Sequence, residues 1–218
     1  MGQIKACLFD LDGVIVDTAK YHYIAWKALA NELGFDFTEL DNERLKGVSR
    51  MASLNILLEI GGVTLSEDEK NRLAEKKNEN YRTYILEMKP DEILPGAKNL
   101  LKELKAKNIR IALGSASKNA MTILDRLKLT DLFEAIIDGT KVSEAKPDPE
   151  VFLKGAEALN VLPEECVVFE DAEAGVEAAL AGNMRCVGIG SPKVLGKANL
   201  VIDGLHQMDY NKLMSLRD

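Results

Sequence analysis

The sequence predicts an α/β fold: a doubly wound, Rossmann-like parallel sheet with an all-helical domain inserted after the first strand. From residue 97 onward, apolar runs of strand length alternate with segments of helical periodicity, which is typical of a parallel sheet covered by helices. Residues 17–90 contain only helical periodicity, and they directly follow a first apolar run at 4–9. We therefore expect a discontinuous core domain at 1–16 and 91–218, and a helical cap domain at 17–90.

Each element follows from local patterns. The first strand is the run at 4–9, and glycines such as Gly34 and Gly182 stand where helix ends are expected. Ser66 with Glu69 forms a capping-box pattern that opens a long helix. Cap helices are expected at 19–33, 40–46, 49–60 and 66–88. Core strands are expected at 109–114, 135–137, 166–170, 185–189 and 200–202. Core helices are expected at 97–107, 118–129, 149–159, 172–181 and from about 209 onward.

Composition excludes several classes of function. A hydrophobic content of 46% and a charged content of 29% over 218 residues are ordinary for a globular protein. The net charge of -7 argues against nonspecific nucleic-acid binding, although a local basic cluster could still hold a small anionic substrate. No apolar run approaches the ~20 residues of a membrane span, and no signal-peptide pattern opens the chain. We expect a cytoplasmic monomer whose cysteines, Cys7, Cys166 and Cys186, are reduced core residues.

Two carboxylates follow the first predicted strand. An unpaired charge is costly inside a buried strand, so we expect Asp10 at the carboxyl end, where open α/β sheets bind ligands. Strand side chains alternate, so Asp10 and Asp12 can converge on one point, and Gly13 permits a sharp turn after them. Such a pair could hold a hard cation such as Mg2+, or supply a nucleophile and a general acid/base. A turn with two solvated acids is the alternative.

Polar residues also follow the later core strands. The run Ser115-Ala116-Ser117-Lys118-Asn119 offers hydroxyl and backbone N–H groups to an anion, although either serine could instead be an ordinary helix N-cap. Lys146 lies in a loop made rigid by Pro147 and Pro149, where a solvated charge is the alternative. Glu170 and Asp171 offer oxygen ligands to a cation, or are helix N-terminal acids favoured by the macrodipole.

The run Asp10-Leu11-Asp12-Gly13-Val14, with Asp17-Thr18 following, resembles the first motif of the haloacid dehalogenase superfamily of phosphotransferases. Ser115, Lys146 and the pair Glu170-Asp171 resemble its later motifs, in the same order. The resemblance implies that Asp10 attacks phosphorus to form an aspartyl phosphate and that Asp12 is the general acid/base. It implies that Ser115 binds the transferring phosphoryl group and that Lys146 pairs with Asp10. Mg2+ would be held by Asp10, the Asp12 backbone carbonyl, Glu170 and Asp171. Many members carry Ser where Ala172 stands, a change that removes one hydroxyl but no ligand.

Four further segments resemble hexose-phosphate mutases of that superfamily: 18–29, 45–53, 76–81 and 115–119. The resemblance implies that Arg50 grips the phosphate that stays on the sugar, and that Lys77 contacts the sugar or its phosphate. His22 would couple substrate binding to Asp12. Thr18 would lie at the hinge, Trp26 would pack beside the site, and Ser117 and Asn119 would assist Arg50. The remaining implied substrate-binding residues are Gly47, Val48, Ser49, Ser53, Ala116 and Lys118.

The resemblance implies the interconversion of β-D-glucose 1-phosphate and glucose 6-phosphate through a bisphosphate. The core motifs do not separate this mutase from a sugar-phosphate phosphatase, because an aspartyl phosphate can pass to a sugar hydroxyl or to water. Whether water or a sugar hydroxyl receives the phosphoryl group depends on how the cap excludes water and positions the sugar. A sugar-phosphate sensor that retained the fold is a third possibility, and intact Asp10 and Asp12 speak against it.

Overall fold

The computed structural model of the protein describes residues 3–45 and 48–217. Within these ranges, six strands form a single parallel sheet in the order β3-β2-β1-β4-β5-β6. The strands are β1 (Ala6–Phe9), β2 (Arg110–Gly114), β3 (Ala135–Ile137), β4 (Cys166–Glu170), β5 (Arg185–Ile189) and β6 (Leu200–Ile202). This is the doubly wound order, which confirms the predicted fold class.

Helices occupy the connections between strands. The segment after β1 holds α1 (Ala19–Glu32), α2 (Glu39–Glu43), α3 (Arg50–Gly61) and α4 (Glu67–Ile85). The rest of the chain holds α5 (Ala97–Ala106), α6 (Ala120–Leu127), α7 (Glu150–Ala158), α8 (Glu173–Ala181), α9 (Pro192–Leu195) and α10 (Tyr210–Met214). Short 3-10 turns lie at Pro90–Glu92, Thr130–Leu132, Pro163–Glu165, Leu205–Gln207 and Ser215–Arg217. None of the described helices is long and apolar enough to cross a bilayer.

Several element boundaries differ from the sequence prediction by one to three residues, and one helix was not predicted. Helix α4 ends at Ile85 rather than near Met88, because Lys89 precedes a proline and is extended, at φ −128° and ψ 159°. Helix α6 begins at Ala120 rather than 118, because the Ser117 hydroxyl accepts from the Asn119 backbone N–H in a tight turn before it. Helix α9, capped by Ser191, was not predicted, since four residues are too few to show a period.

The sheet is buried on both faces. Successive residues of β1 alternate between two apolar clusters, with Cys7 and Phe9 in one and Ala6 and Leu8 in the other. Phe9 stacks on Phe169 of β4 with ring centroids 4.6 Å apart. A strand enclosed in this way tolerates a carboxylate only beyond its end, which is where Asp10 stands.

The four helices after β1 have an apolar cluster of their own, built around Trp26, Phe37 and Leu54. The opposite side of this segment packs on the sheet cluster through Tyr81 and Ile85. The chain enters and leaves the segment side by side: Val16 bridges Ile93, and the Leu94 backbone N–H donates to the Ile15 carbonyl at 2.9 Å. The segment therefore has its own core and two adjacent connections. This arrangement supports the predicted cap at 17–90, whose boundaries stay a prediction.

Candidate active site

The sheet order brings three strand ends together. β1 lies between β2 and β4, with Phe9 aligned to Leu113 on one side and to Phe169 on the other. The residues that follow these positions therefore emerge next to one another, and the Asp10 backbone N–H donates to the Phe169 carbonyl at 2.9 Å. Motifs separated by more than a hundred residues in the sequence meet at the carboxyl edge of the sheet, where open α/β sheets bind ligands.

Lys146 lies at the centre of this edge. Its buried ammonium donates to Asp10 Oδ1 at 2.6 Å, to Glu170 Oε2 at 2.8 Å and to the Gly114 carbonyl at 3.2 Å. Burial alone would lower the pKa of Lys146, but the two carboxylates outweigh it and raise that pKa. Lys146 is thus a buried, paired cation, and the solvated-charge alternative is wrong.

Asp10, Glu170 and Asp171 form an acidic cluster whose oxygens lie within 4.8 Å of one another. Close backbone approach makes this possible: a Cβ on Gly13, whose φ is +77°, would lie 2.1 Å from Asp171 Oδ2. Burial, followed by the nearby Asp10, raises the pKa of Glu170. Carboxylate oxygens clustered in this way fit a hard divalent cation such as Mg2+.

Asp12 is held apart from that cluster. The buried Thr18 hydroxyl donates to Asp12 Oδ1, which turns the carboxylate toward the segment that joins β1 to α1. Burial, and then the neighbouring Asp10, raises the pKa of Asp12 to about 7, although Thr18 opposes this rise. A carboxyl group with a pKa near neutrality can both give and take a proton under physiological conditions, as a general acid/base must.

The loop from Ser115 to Asn119 closes the core side of the site. The Ser115 hydroxyl accepts from the Ser117 N–H at 3.1 Å, and the Ser117 hydroxyl accepts from the Asn119 N–H at 3.2 Å. The N-cap of α6 is Asn119, so the interpretation of either serine as an ordinary cap of that helix is wrong. The two hydroxyls instead shape a tight turn directly after β2.

The cap contributes a cationic group to the site. Lys77 Nζ lies 2.7 Å from His22 Nδ1 and 4.3 Å from the centroid of the Trp26 ring. Burial, and then the nearby Arg50, lowers the pKa of Lys77 to about 7. Burial, and then Lys77, lowers the pKa of His22 well below its usual value. His22 also stacks on Tyr81 with ring centroids 4.1 Å apart, so Lys77 and His22 are both fixed in position.

Three further contacts position Ser49, Arg50 and Asn119. Ser49 caps α3 by accepting from the Ala52 N–H at 3.3 Å, and Arg50 at the first position of α3 donates to Glu75 at 3.0 Å. Across the cleft, Asn119 Nδ2 donates to Asn78 Oδ1 at 2.9 Å, with both side chains buried. This last bond joins α4 directly to the loop that follows β2.

A cavity of about 820 Å³ joins the two sides. It is lined by predicted residues from both halves of the chain: Asp10, Asp12, Thr18, His22, Trp26, Val48, Ser49, Arg50, Ser53, Lys77, Ser115, Ala116, Ser117, Lys118, Asn119, Lys146, Glu170 and Asp171. Gly47, also predicted, lies outside the described residues. Asn42 and Asn78 line the cavity without having been predicted; only the position of Asn78 beside Lys77 in the segment 76–81 could have indicated it.

The sheet order and the paired carboxylates after β1 define a class of protein. Residues 4–183 match the family described as haloacid dehalogenase-like hydrolase, and the chain belongs to that family. It is thus an enzyme of the haloacid dehalogenase type, as the motifs at Asp10, Ser115, Lys146 and Glu170 predicted.

Individual members of this family are similar to the chain over most of its length. The β-phosphoglucomutase of Bacillus subtilis (strain 168) is 45% identical over 201 residues, which are 91% of this chain and 89% of that protein. The crystal structure of β-phosphoglucomutase from Clostridium difficile superposes with a TM-score of 0.95 at 46% identity, covering 99% of this chain and 97% of that one. The phosphorylated carbohydrates phosphatase of Thermotoga maritima is 36% identical over 90% of each chain. This chain is therefore similar to both mutases and a phosphatase.

Proposed function

We propose that this protein is a Mg2+-dependent β-phosphoglucomutase that interconverts β-D-glucose 1-phosphate and glucose 6-phosphate through β-glucose 1,6-bisphosphate. The observation that carries the proposal is one continuous cavity that has cationic groups at both of its ends. Lys146 stands at the core end, and Arg50 and Lys77 stand at the cap end. A sugar bisphosphate has two anionic groups to place, and such a cavity offers a partner to each. The similarity to two β-phosphoglucomutases supports the same choice.

In the proposed reaction, an Asp10 carboxylate oxygen attacks the phosphorus of the bisphosphate, and the bond from phosphorus to the sugar oxygen breaks. Asp12 gives its proton to the departing oxygen, while Lys146 and Ser115 hold the phosphoryl oxygens. In the reverse direction Asp12 takes the proton of a sugar hydroxyl, that hydroxyl attacks the aspartyl phosphate, and Asp10 is regenerated. Because the bisphosphate reverses its orientation in the cavity between the two steps, either of its phosphates can be transferred.

Mg2+ bound by Asp10, the Asp12 backbone carbonyl, Glu170 and Asp171 would neutralise charge that develops on the phosphoryl group. The chain's own residues do the rest. Arg50, with Ser117 and Asn119, would retain the phosphate that is not transferred, and His22 with Lys77 would orient the sugar. Closure of the cap at 17–90 on the core at 1–16 and 91–218 would exclude water from the aspartyl phosphate.

We further propose that the enzyme acts as a cytoplasmic monomer on this small sugar phosphate, without a nucleic-acid or membrane partner.

A coupled assay tests the proposal. β-D-glucose 1-phosphate, primed with β-glucose 1,6-bisphosphate and Mg2+, should yield glucose 6-phosphate, detected by a dehydrogenase, with little inorganic phosphate. Release of glucose and phosphate in equal amounts would instead establish the sugar-phosphate phosphatase, the alternative supported by the Thermotoga relative. Stoichiometric binding of the sugar phosphate without any turnover would support a sensor.

A further inference from the structure

The cap-side arginine of the cavity already has an anionic partner. Arg50 Nη1 donates to Glu75 Oε2 at 3.0 Å, and Glu75 Oε1 accepts from Asn78 Nδ2 at 3.2 Å. Both carboxylate oxygens of Glu75 are therefore engaged by side chains that line the cleft, although Glu75 itself lies on the exposed side of α4. No residue of the reaction proposed above requires Glu75, so its place beside Arg50 needs a separate explanation.

The contacts of Glu75 continue into the core. Asn78 Oδ1 accepts from Asn119 Nδ2 at 2.9 Å, so hydrogen bonds link Arg50 of α3 to Glu75 and Asn78 of α4, and then to Asn119. The two ends of this chain of contacts are residues to which we assign the phosphate that stays on the sugar. In this structure Glu75 and Asn78 occupy hydrogen-bonding groups that such a phosphate would use.

The contact between Arg50 and Glu75 is of a kind that a phosphate can replace. The side chains are 24% and 60% exposed, and ion pairs that water reaches contribute little to stability. A phosphate monoester carries about -1.5 to -2 charges, whereas a carboxylate carries a single charge. A phosphate can also accept two parallel hydrogen bonds from a guanidinium. A sugar hydroxyl is neutral and offers no such advantage. Of these groups, the phosphate is therefore the one that can compete with Glu75 for Arg50.

We propose that Glu75 tunes the affinity of the site by competing with the substrate phosphate for Arg50, so that Arg50 leaves Glu75 only for a ligand with a phosphate at the cap end of the cavity. The inference rests on the proposed function, because it takes Arg50 as the partner of the non-transferred phosphate. Glu75 then lowers the affinity for every hexose phosphate and leaves the affinity for an unphosphorylated hexose unchanged.

Calorimetric titration with glucose 6-phosphate tests this inference. Removing the competing charge with Glu75→Gln should tighten binding by about two- to fivefold, the range expected for a solvent-accessible ion pair. Glu79→Gln is the matched control, because it removes the same charge from an exposed position one turn further along α4. The gain should shrink at high salt, which screens exposed charges. It should vanish when Arg50→Gln is combined with Glu75→Gln, since no contested cation then remains.

Equal affinities of the Glu75→Gln and Glu79→Gln proteins would overturn the inference, as would a gain that persists without Arg50. Failure of the proposed function gives a different pattern. If Glu75→Gln tightens binding while turnover releases free phosphate, the role of Glu75 stands and the mutase assignment fails. If glucose 6-phosphate forms but Glu75→Gln has no effect, the mutase assignment stands and the role of Glu75 fails.

Discussion

At the scale of single residues, two acids of the active site share the buried ammonium of Lys146. Lys146 is buried between Asp10 and Glu170 and donates to both of them. Removing the ammonium would take the ion pair with Lys146 away from both Asp10 and Glu170. Removing the charge of Asp10 instead leaves Lys146 paired with Glu170. The charge of Asp10, the proposed nucleophile, can therefore be removed without leaving Lys146 unpaired, so its catalytic role can be tested separately from its contribution to the fold.

Asp10→Asn tests the nucleophile directly. Asparagine is nearly isosteric but lacks the charge needed to attack phosphorus, so we expect turnover to fall by on the order of 10^4-fold or more. Circular dichroism and the thermal midpoint should stay close to those of the wild type, because Glu170 still pairs with Lys146. Undiminished formation of glucose 6-phosphate by the Asp10→Asn protein would contradict the assignment of the nucleophile.

Lys77 leads to a prediction about pH. Burial, and then Arg50, lowers its pKa from 10.5 to about 7 in the folded protein. Between these values the unfolded chain binds more protons at Lys77 than the folded one, so the free energy of unfolding should rise with pH across this window. Below about pH 7 both states are protonated, and the cost of burying the charge is constant.

Lys77→Met should remove this contribution to the pH dependence. We expect the difference in unfolding free energy between wild type and variant to change by on the order of 3 kcal/mol between about pH 7 and pH 9.5. Urea unfolding at a series of pH values measures it. Lys76→Met is the control, because Lys76 is exposed and pairs with Glu32 on the surface. Parallel pH curves for wild type and Lys77→Met would show that Lys77 keeps an ordinary pKa.

At the scale of elements, the two connections between the helical segment and the sheet act together. Glu92 in the second connection accepts from the Lys20 ammonium at 2.9 Å and from the Tyr21 hydroxyl, both in the first turns of α1. Its other oxygen accepts from the Lys89 N–H at 3.1 Å. The bridge between Val16 and Ile93 lies beside these contacts. Glu92 thus fastens the beginning of α1 to the return of the chain.

Glu92→Gln should loosen this junction. The amide cannot reproduce charge-assisted bonds to Lys20 and Tyr21, so we expect faster amide hydrogen exchange at 16–21 and 89–94, with β1, β2 and β4 unchanged. The loss of stability should be about 1 kcal/mol, as for one charge-assisted contact near the surface. Glu87→Gln, which changes an exposed residue five positions earlier, serves as the control. Identical exchange in the two variants would show that Glu92 does not hold the junction.

At the scale of the whole molecule, we expect the acidic cluster to make the stability of the fold depend on divalent cations. Asp10, Glu170 and Asp171 repel one another, and a cation that binds them only in the folded state must stabilise it. Mg2+ at 100 times its dissociation constant should add about 2.7 kcal/mol to the free energy of unfolding. The thermal midpoint should therefore rise with Mg2+ and return to its starting value with a chelator.

Asp171→Asn should lose most of that rise, because it removes one of three clustered carboxylates. Asp91→Asn removes an exposed carboxylate elsewhere and should respond to Mg2+ like the wild type. The metal site would be wrongly assigned if all three proteins gained the same stability. Activity of the wild type should disappear with chelation in parallel with the loss of the thermal shift.

The sequence by itself determined the class of sheet, most of its helices and the types of residue that stand at the strand ends. Local signals were strong there: apolar runs ended in acids, hydroxyls or a lysine, and Gly13 marked the turn after Asp10. The motifs added the proposed roles of Asp10, Asp12, Ser115 and Lys146. What they could not add was the partner of each group, because hydrogen bonds such as those from Lys146 join segments distant along the chain.

Only the tertiary structure decided which charges meet across the cleft. In the sequence, nothing distinguishes Glu75 from the other acids of a solvated helix face. Asn78 likewise looks like an ordinary polar residue. Their contacts with Arg50 and Asn119 arise because α4 packs between α3 and the loop after β2. Periodicity fixes which face of a helix is apolar, but the neighbours of its polar residues depend on how the helices pack, and packing is a property of the whole chain.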